Sequence, residues 1–383
     1  MVAAVRRGIS MRAVARRFHV SLAVVQWWVR RARGQRLDRV DWGDRSRRPH
    51  RTRRTPRRVE DRVLALRRQL RDESVLGEYG APAIARALEA REGSPPLSVR
   101  TIGRILERRG AVDHQHRVRH APPPAGWYLP AVARATAELD SFDVIEGLKI
   151  ADGPRLEVLT GISLHGGLAA AWPMPWVSAR AVVPTLLGHW HEVGLPTYAQ
   201  FDNDTIFQGP HQHRDAISRV MRLCLGLGVV PVFAPPREPG FQAAIESFNA
   251  RWQAKVWARF HHATLRAVQQ RSVRYIKAHR EQAAVRLDAA PLRREVPPHW
   301  EVDLQQRPTG TMVFLRRTGP QGAISLLGHT MLVDRHWPHR LVRADVDLAA
   351  EEIRLHALRR RAPSEQPLLR SIPYTLPIRP FKE

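Results

Sequence analysis

From Trp127 to about Ala290 the apolar pattern changes period several times, and that succession restricts the fold more than any other feature. Three strand-length runs come first, "AELDSFDVI", "RLEVLTGISLHGG" and "LAAAWPM", close enough together to form an antiparallel meander. An amphipathic helix, "SARAVVPTLLGHWHEVG", follows, then a strand entering a loop, "TYAQFDND". A helix, "ISRVMRLCLGLG", a strand, "VVPVFAP", and a long helix from about Gln242 towards Arg280 complete the region. Strands separated by helices pair in parallel, and hairpin-linked strands pair antiparallel. The expectation is a mixed five-stranded sheet with helices on its faces.

The segments on either side read differently. Residues 1–34, with "GISMRAVARRFHVSLAVVQWWVRRARG", predict two short helices around a tight turn, Ser10 and Ser21 capping them. Ile9, Val14, Phe18, Val20, Val24 and Trp28 form the expected apolar set, with Ala15 at the crossing. This is the pattern of a helix-turn-helix DNA-binding domain, with Gln26 and Arg30 placed for base edges and Arg31 and Arg33 for phosphate. Residues 35–58 are an Arg-rich linker. Residues 59–119 predict a second helix-turn-helix, with Ser98 as cap and Arg100, Thr101 and Arg104 on the exposed face of its last helix. "HAPPPAG" marks a boundary before the α/β core of residues 127–290. Residues 300–360 hold short runs with Gly-containing turns that predict a small β-barrel, and residues 361–383, rich in proline, an extended or disordered tail. The expected chain is thus multidomain: helical modules, an α/β core, then a barrel.

Charge follows this division. The 383 residues carry +26 overall, but residues 1–120 hold 30 Arg against 12 acidic side chains, a balance of +18. Residues 121–290 are nearly balanced at +3. Basic arms on a balanced globular middle point to a polyanionic partner, double-stranded DNA in the first place. Cys224 is the single cysteine, so disulfides within the chain and Cys-rich zinc sites are excluded. No apolar run approaches the ~20 residues of a membrane span, and "MVAAVRRGIS" has no signal-like apolar core. A cytoplasmic, nucleoid-associated location with no membrane partner is expected.

Three acids stand out in the middle region: Asp140 within the first strand, Asp202 at the end of the fourth, and Glu246 at the start of the long helix. "ELDSFDV", "FDNDTIF" and "APPREPGFQAAIESFN" resemble the three catalytic blocks of the DDE transposase and retroviral-integrase core superfamily, bacterial insertion-sequence transposases in particular. The resemblance covers about residues 127–280 and implies an RNase H-like core. It implies a DNA transposase that cleaves 3′ ends and transfers strands, binding element terminal repeats and target DNA as a homo-oligomer. Asp140, Asp202 and Glu246 would be both catalytic and metal-ligating, holding two Mg2+ ions for which Mn2+ can substitute; hard oxygen donors suit such ions. Asn249 and Gln253 lie one and two turns beyond Glu246 on the same face and are candidate DNA contacts.

The chain departs from the family pattern at three points. The Asp202–Glu246 interval is long, and Glu238 competes on spacing but lacks the "ESFN" context. Asp204 and Ala244 stand where glycine is usual. Asp143 competes with Asp140, and strand alternation puts the two on opposite faces; the family block favours Asp140. Two other readings of the chain are a DNA-binding repressor or assembly factor with an inactive core, and an RNase H-like nuclease.

Overall fold

The computed structural model describes residues 1–43, 55–92, 97–112, 125–150, 153–209, 213–238 and 240–381. It divides into two compact units, Met1–Val59 and Glu60–Glu383.

The first unit opens with three helices: α1 (Val2–Arg6), α2 (Met11–Arg17) and α3 (Leu22–Arg31). Ser10 Oγ accepts from Ala13 N at 3.3 Å and Ser21 Oγ from Val24 N at 3.4 Å, so both expected caps are present. His19, at φ 51°, reverses the chain between α2 and α3. Val14, Ala15, Ala4 and Val25 form the core, with Ile9 and Val20 against it. Two residues of the expected apolar set lie outside: Phe18 is 46% and Val24 38% exposed. Rotation of α3 by one position puts Val25 inward instead. Trp28 joins Val2, Ala32 and Val40 in a second small cluster. Most of the linker, residues 44–54, lies outside the described residues; Leu37–Arg39 forms a single 3-10 turn.

In the second unit, α4 (Arg57–Glu73, beginning at the boundary), α5 (Ala81–Glu92) and α6 (Val99–Arg108) bury Val63, Leu66, Ile84, Ile102 and Ile105 between them. Glu60 is buried among them and receives Arg108 and Arg109. A short helix, α7 (Pro130–Ala133), leads into the sheet.

The meander is β1 (Leu139–Lys149), β2 (Arg155–Ser163) and β3 (Ala169–Met174), antiparallel throughout. Then come α8 (Ala179–Val193), β4 (Tyr198–Phe201), α9 (Thr205–Gln208), α10 (Arg219–Gly226), β5 (Val230–Phe233), α11 (Ala243–Trp252) and α12 (Leu265–Asp288). β4 pairs in parallel with both β1 and β5. One face of the sheet packs against α8 and α10 through Phe142, Trp190, Phe201 and Met221. The other packs against α11 and α12 through Ile145, Val158, Ile245, Phe248, Trp252 and Tyr275.

The expected five-strand sheet and separate barrel are corrected here. β6 (Thr311–Arg317) pairs in parallel with β5, and β9 (Leu341–Asp347), β10 (Glu352–Leu358) and β11 (Leu368–Pro373) continue from it. The result is one nine-stranded sheet, β11-β10-β9-β6-β5-β4-β1-β2-β3. β7 (Ala323–Leu326) and β8 (His329–Leu332) form a hairpin of their own. A barrel would leave the β5 edge open; pairing with β6 covers it, which is the more economical way to satisfy its backbone groups. The expected tail likewise contributes β11 to the sheet.

Candidate active site

Sheet register decides which acids meet. β1 and β4 run in parallel with Leu139 opposite Tyr198, Asp140 opposite Ala199 and Ser141 opposite Gln200. Continued by one step, Phe142 stands beside Phe201, and their rings stack at 5.7 Å. One step further brings Asp143, not Asp140, level with Asp202. Alternation then sets the faces: Asp140, Phe142 and Val144 turn to the α8 side, Asp143 and Ile145 to the α11 side.

Asp143 Oδ2 accepts from Asn249 Nδ2 at 2.8 Å, which ties the strand to α11. Burial pushes its carboxyl up to about 6, and the negative fields of Asp202 and Glu246 add to the rise; hydrogen bonds from Val144 N and Asn249 oppose it. Asp202 is also raised, by burial first, then by Asp204 and Glu146. Among the described residues no cationic side chain pairs with Asp143, Asp202 or Glu246. A groove of about 580 Å³ is lined by Asp143, Glu246, Asn249 and Gln253 and continues to Trp257; Asp202 does not line it. Gln253–Trp257 is a π-helical turn closing α11, and Gln253, Ala254 and Trp257 of it line the groove. Among the described residues no three His, Cys, Asp or Glu side chains are gathered closely enough to hold one ion.

Asp140 has another place. It is 2% exposed, Arg293 holds it with both guanidinium nitrogens, and Trp190 Nε1 reaches it at 3.4 Å. Arg293 belongs to the strap after α12, which bridges Leu195 and Arg294 by backbone. The expectation of Asp140 beside Asp202 is therefore corrected. The carboxylate is neutralised on the far face, and the acid three residues on takes the cleft.

The other sequence candidates sort clearly. Glu238 is held by Arg317 and Arg360, and its hydrogen bond to Arg317 keeps its carboxyl low. Asp204 caps α9, accepting from Ile206 N at 2.8 Å, and turns into the backbone. Asn203 reaches across to Ala234 O, joining the loop after β4 to the end of β5. Asn249 is buried and donates to Asp143; Gln253 stays exposed on the rim. Gln26, Arg30, Arg100 and Arg104 are exposed, and Thr101 bonds Ser98 Oγ at 2.8 Å within the cap. Arg31 is not free for phosphate. Its side chain is 7% exposed, lies 5.1 Å from the rings of both Trp27 and Trp28, and pairs with Asp41 at 2.9 Å.

No protein-family model matches the chain, and no curated protein matches it. Many solved chains resemble it, among them these two. The catalytic core domain of BIV integrase is 17% identical, with TM-score 0.27, covering 37% of this chain and 81% of that one. A simian T-cell lymphotropic virus intasome in complex with the PP2A regulatory subunit B56 gamma is 16% identical, with TM-score 0.33, covering 79% and 95%. No helix among the described residues is long and apolar enough to cross a membrane.

Proposed function

We propose that the chain is a divalent-metal-dependent DNA transposase of insertion-sequence type, with Asp143, Asp202 and Glu246 as its acidic set. The observation that carries this reading is the groove where Asp143, tied to α11 by Asn249, and Glu246 stand together with no cationic partner among the described residues. Asp143 and Glu246 on the groove, with Asp202 close enough to act on Asp143, are neighbouring like charges that a cation would draw together. The donor set fits Mg2+ or Mn2+: hard oxygens, no thiolate and no cationic competitor. When bound, two such ions would stabilise charge on the attacking and leaving oxygens of an in-line phosphoryl displacement.

The chain's own residues have separable tasks. Asn249 holds Asp143 in the cleft. The Asp140–Arg293 pair anchors β1 from behind and so keeps Asp143 in register with Asp202. The helices α3 and α6 offer Gln26, Arg30, Arg100 and Arg104 to DNA, the terminal repeats of an element among the expected sites. Two ends joined in one reaction require at least two subunits.

Purified chain, Mn2+ and DNA carrying the flanks of its own gene test the proposal. Asp143→Asn should abolish 3′-end cleavage and strand transfer and leave DNA affinity within about twofold, since phosphate contacts made elsewhere dominate it. Full strand transfer by that variant would end the assignment. The looseness of the acids favours a second reading, a DNA-binding regulator without catalysis. On that reading DNA would be bound and never cut in Mn2+, and Asp143→Asn would leave DNA binding unchanged.

A further inference from the structure

A cavity of about 920 Å³ lies on the same face of the sheet as the acids, and the groove reading does not use it. Ser141 forms part of its floor, two residues before Asp143 and so on the same side of β1; Ser247 forms part of its wall, the residue after Glu246 on α11. The cavity and the acidic groove are therefore neighbours, divided by the first turn of α11.

Its floor is built around Gln200, which is 1% exposed. Ser141 Oγ donates to Gln200 Oε1 at 3.1 Å, and the single Tyr128 hydroxyl hydrogen is shared between Gln200 Oε1 at 2.9 Å and Phe241 O at 3.0 Å. Gln200 Nε2 is left as a buried donor without a partner. His279 of α12, 8% exposed, also lines the cavity and has an unpartnered Nδ1. Two such polar atoms in one cavity cost stability unless a ligand meets them. The walls bring Trp127 and Phe241, whose rings lie 5.6 Å apart. At the mouth stand Arg251 and Arg286, both exposed and neither paired with a carboxylate among the described residues. Gly167 makes room for the second: a Cβ there would stand 1.6 Å from Arg286 Nη2.

Aromatic walls, a buried amide, an imidazole and arginines at the rim, with the one acid of the described lining, Glu78, paired to Arg86, are the chemistry of a heteroaromatic base attached to a phosphate. We propose that this cavity receives one nucleotide turned out of the DNA strand held at the acids, its base meeting the Gln200 amide and its phosphate lying under Arg251 and Arg286. The inference rests on the strand-transfer reading for the presence of DNA. A pocket one helical turn from the reacting phosphate would hold an end open and unpaired while the acids act on it.

The test uses the full chain without metal, so strand transfer is not its readout. The probe is a short duplex with three unpaired terminal nucleotides, one of them 2-aminopurine; a blunt duplex, free dAMP and deoxyribose 5-phosphate are the comparisons. We expect a saturable change in 2-aminopurine emission on the unpaired end and about tenfold weaker binding of that end by Gln200→Leu, the size of one buried hydrogen bond. Blunt-duplex affinity should not change. Because Gln200→Leu also leaves the Ser141 hydroxyl without its acceptor, Arg286→Ala on the solvent side of α12 is the second variant, with the same selective loss expected. An unchanged emission at saturation would overturn the proposal, as would equal loss for blunt and unpaired ends. Tighter binding of free dAMP than of the unpaired end would make this a free-nucleotide site and sink the strand-borne form. Deoxyribose 5-phosphate binding as well as dAMP would leave no role for the base and overturn it too. If the emission responds as expected while Mn2+ supports no strand transfer, only the catalytic reading fails.

Discussion

Asp140 and Asp143 are three residues apart and have opposite energetics. Asp143 is half-buried with no cationic partner among the described residues, so its charged form is disfavoured. Its folded pKa, about 6, exceeds the unfolded value of 3.8, so the folded chain binds the extra proton between them. Stability therefore falls as pH rises through this window and is regained as pH drops back through it. The full shift corresponds to about 3 kcal/mol. Asp143→Asn should accordingly stabilise the metal-free chain by ~1–3 kcal/mol at pH 7.5 and flatten its denaturation midpoint between pH 4 and 6. Asp140→Asn should do the reverse, costing about 3–5 kcal/mol, because it leaves the Arg293 guanidinium buried without its partner. Urea unfolding of both variants checks the pair; equal signs would contradict the placement of the two acids on opposite faces. Mn2+ should raise the midpoint of the parent chain and not that of Asp143→Asn, as ligand linkage requires.

At the scale of elements, α11 joins two functions along one helix. Ile245, Phe248 and Trp252 bury one stripe against the sheet, and Glu246, Asn249 and Gln253 follow the adjoining stripe along the cleft. Asn249→Ala removes the hydrogen bond that favours ionised Asp143, so the Asp143 titration should move above its present position near 6. Strand transfer should fall by about 10- to 100-fold, as for other residues that orient metal ligands, with the pH–rate profile displaced to higher pH. A loss of rate with no displacement would assign Asn249 a merely structural part. Much of this was legible in sequence, since the stripe is a matter of helical spacing. The choice between Asp140 and Asp143 was not. Alternation separates them, but β1 is apolar on both faces, with Phe142 and Val144 on one and Ile145 on the other, so no pattern tells which face holds the cleft. Arg293, 153 residues from Asp140, has no local signal at all.

For the whole molecule, the terminal strands are one continuous structure with the core. Residues 311–373 add four strands to the β5 edge in place of a detached barrel, and β11 pairs along β10 from Glu352–Pro373 to His356–Leu368. Ending the chain after Arg361 removes that last strand and leaves β10 as an unpaired edge. The truncated chain should unfold at lower urea, by roughly 2 kcal/mol or more for the lost strand and the apolar contacts of Ile372, Tyr374 and Leu376. It should also associate at concentrations where the full chain is monodisperse; scattering and urea melts decide the matter, and unchanged stability would mean that the tail is dispensable.

The sequence by itself determined the local matters: serine caps, helical stripes, the order of strands and helices, and the basic charge of the first third. These depend on residues a few positions apart, or on sums over a segment. Tertiary structure alone decided strand register, the continuation of the sheet beyond β5, the Asp140–Arg293 pair and the acid facing Asp202. Each depends on which distant segments lie side by side, and a two-residue period on a strand buried on both faces carries no record of its neighbours.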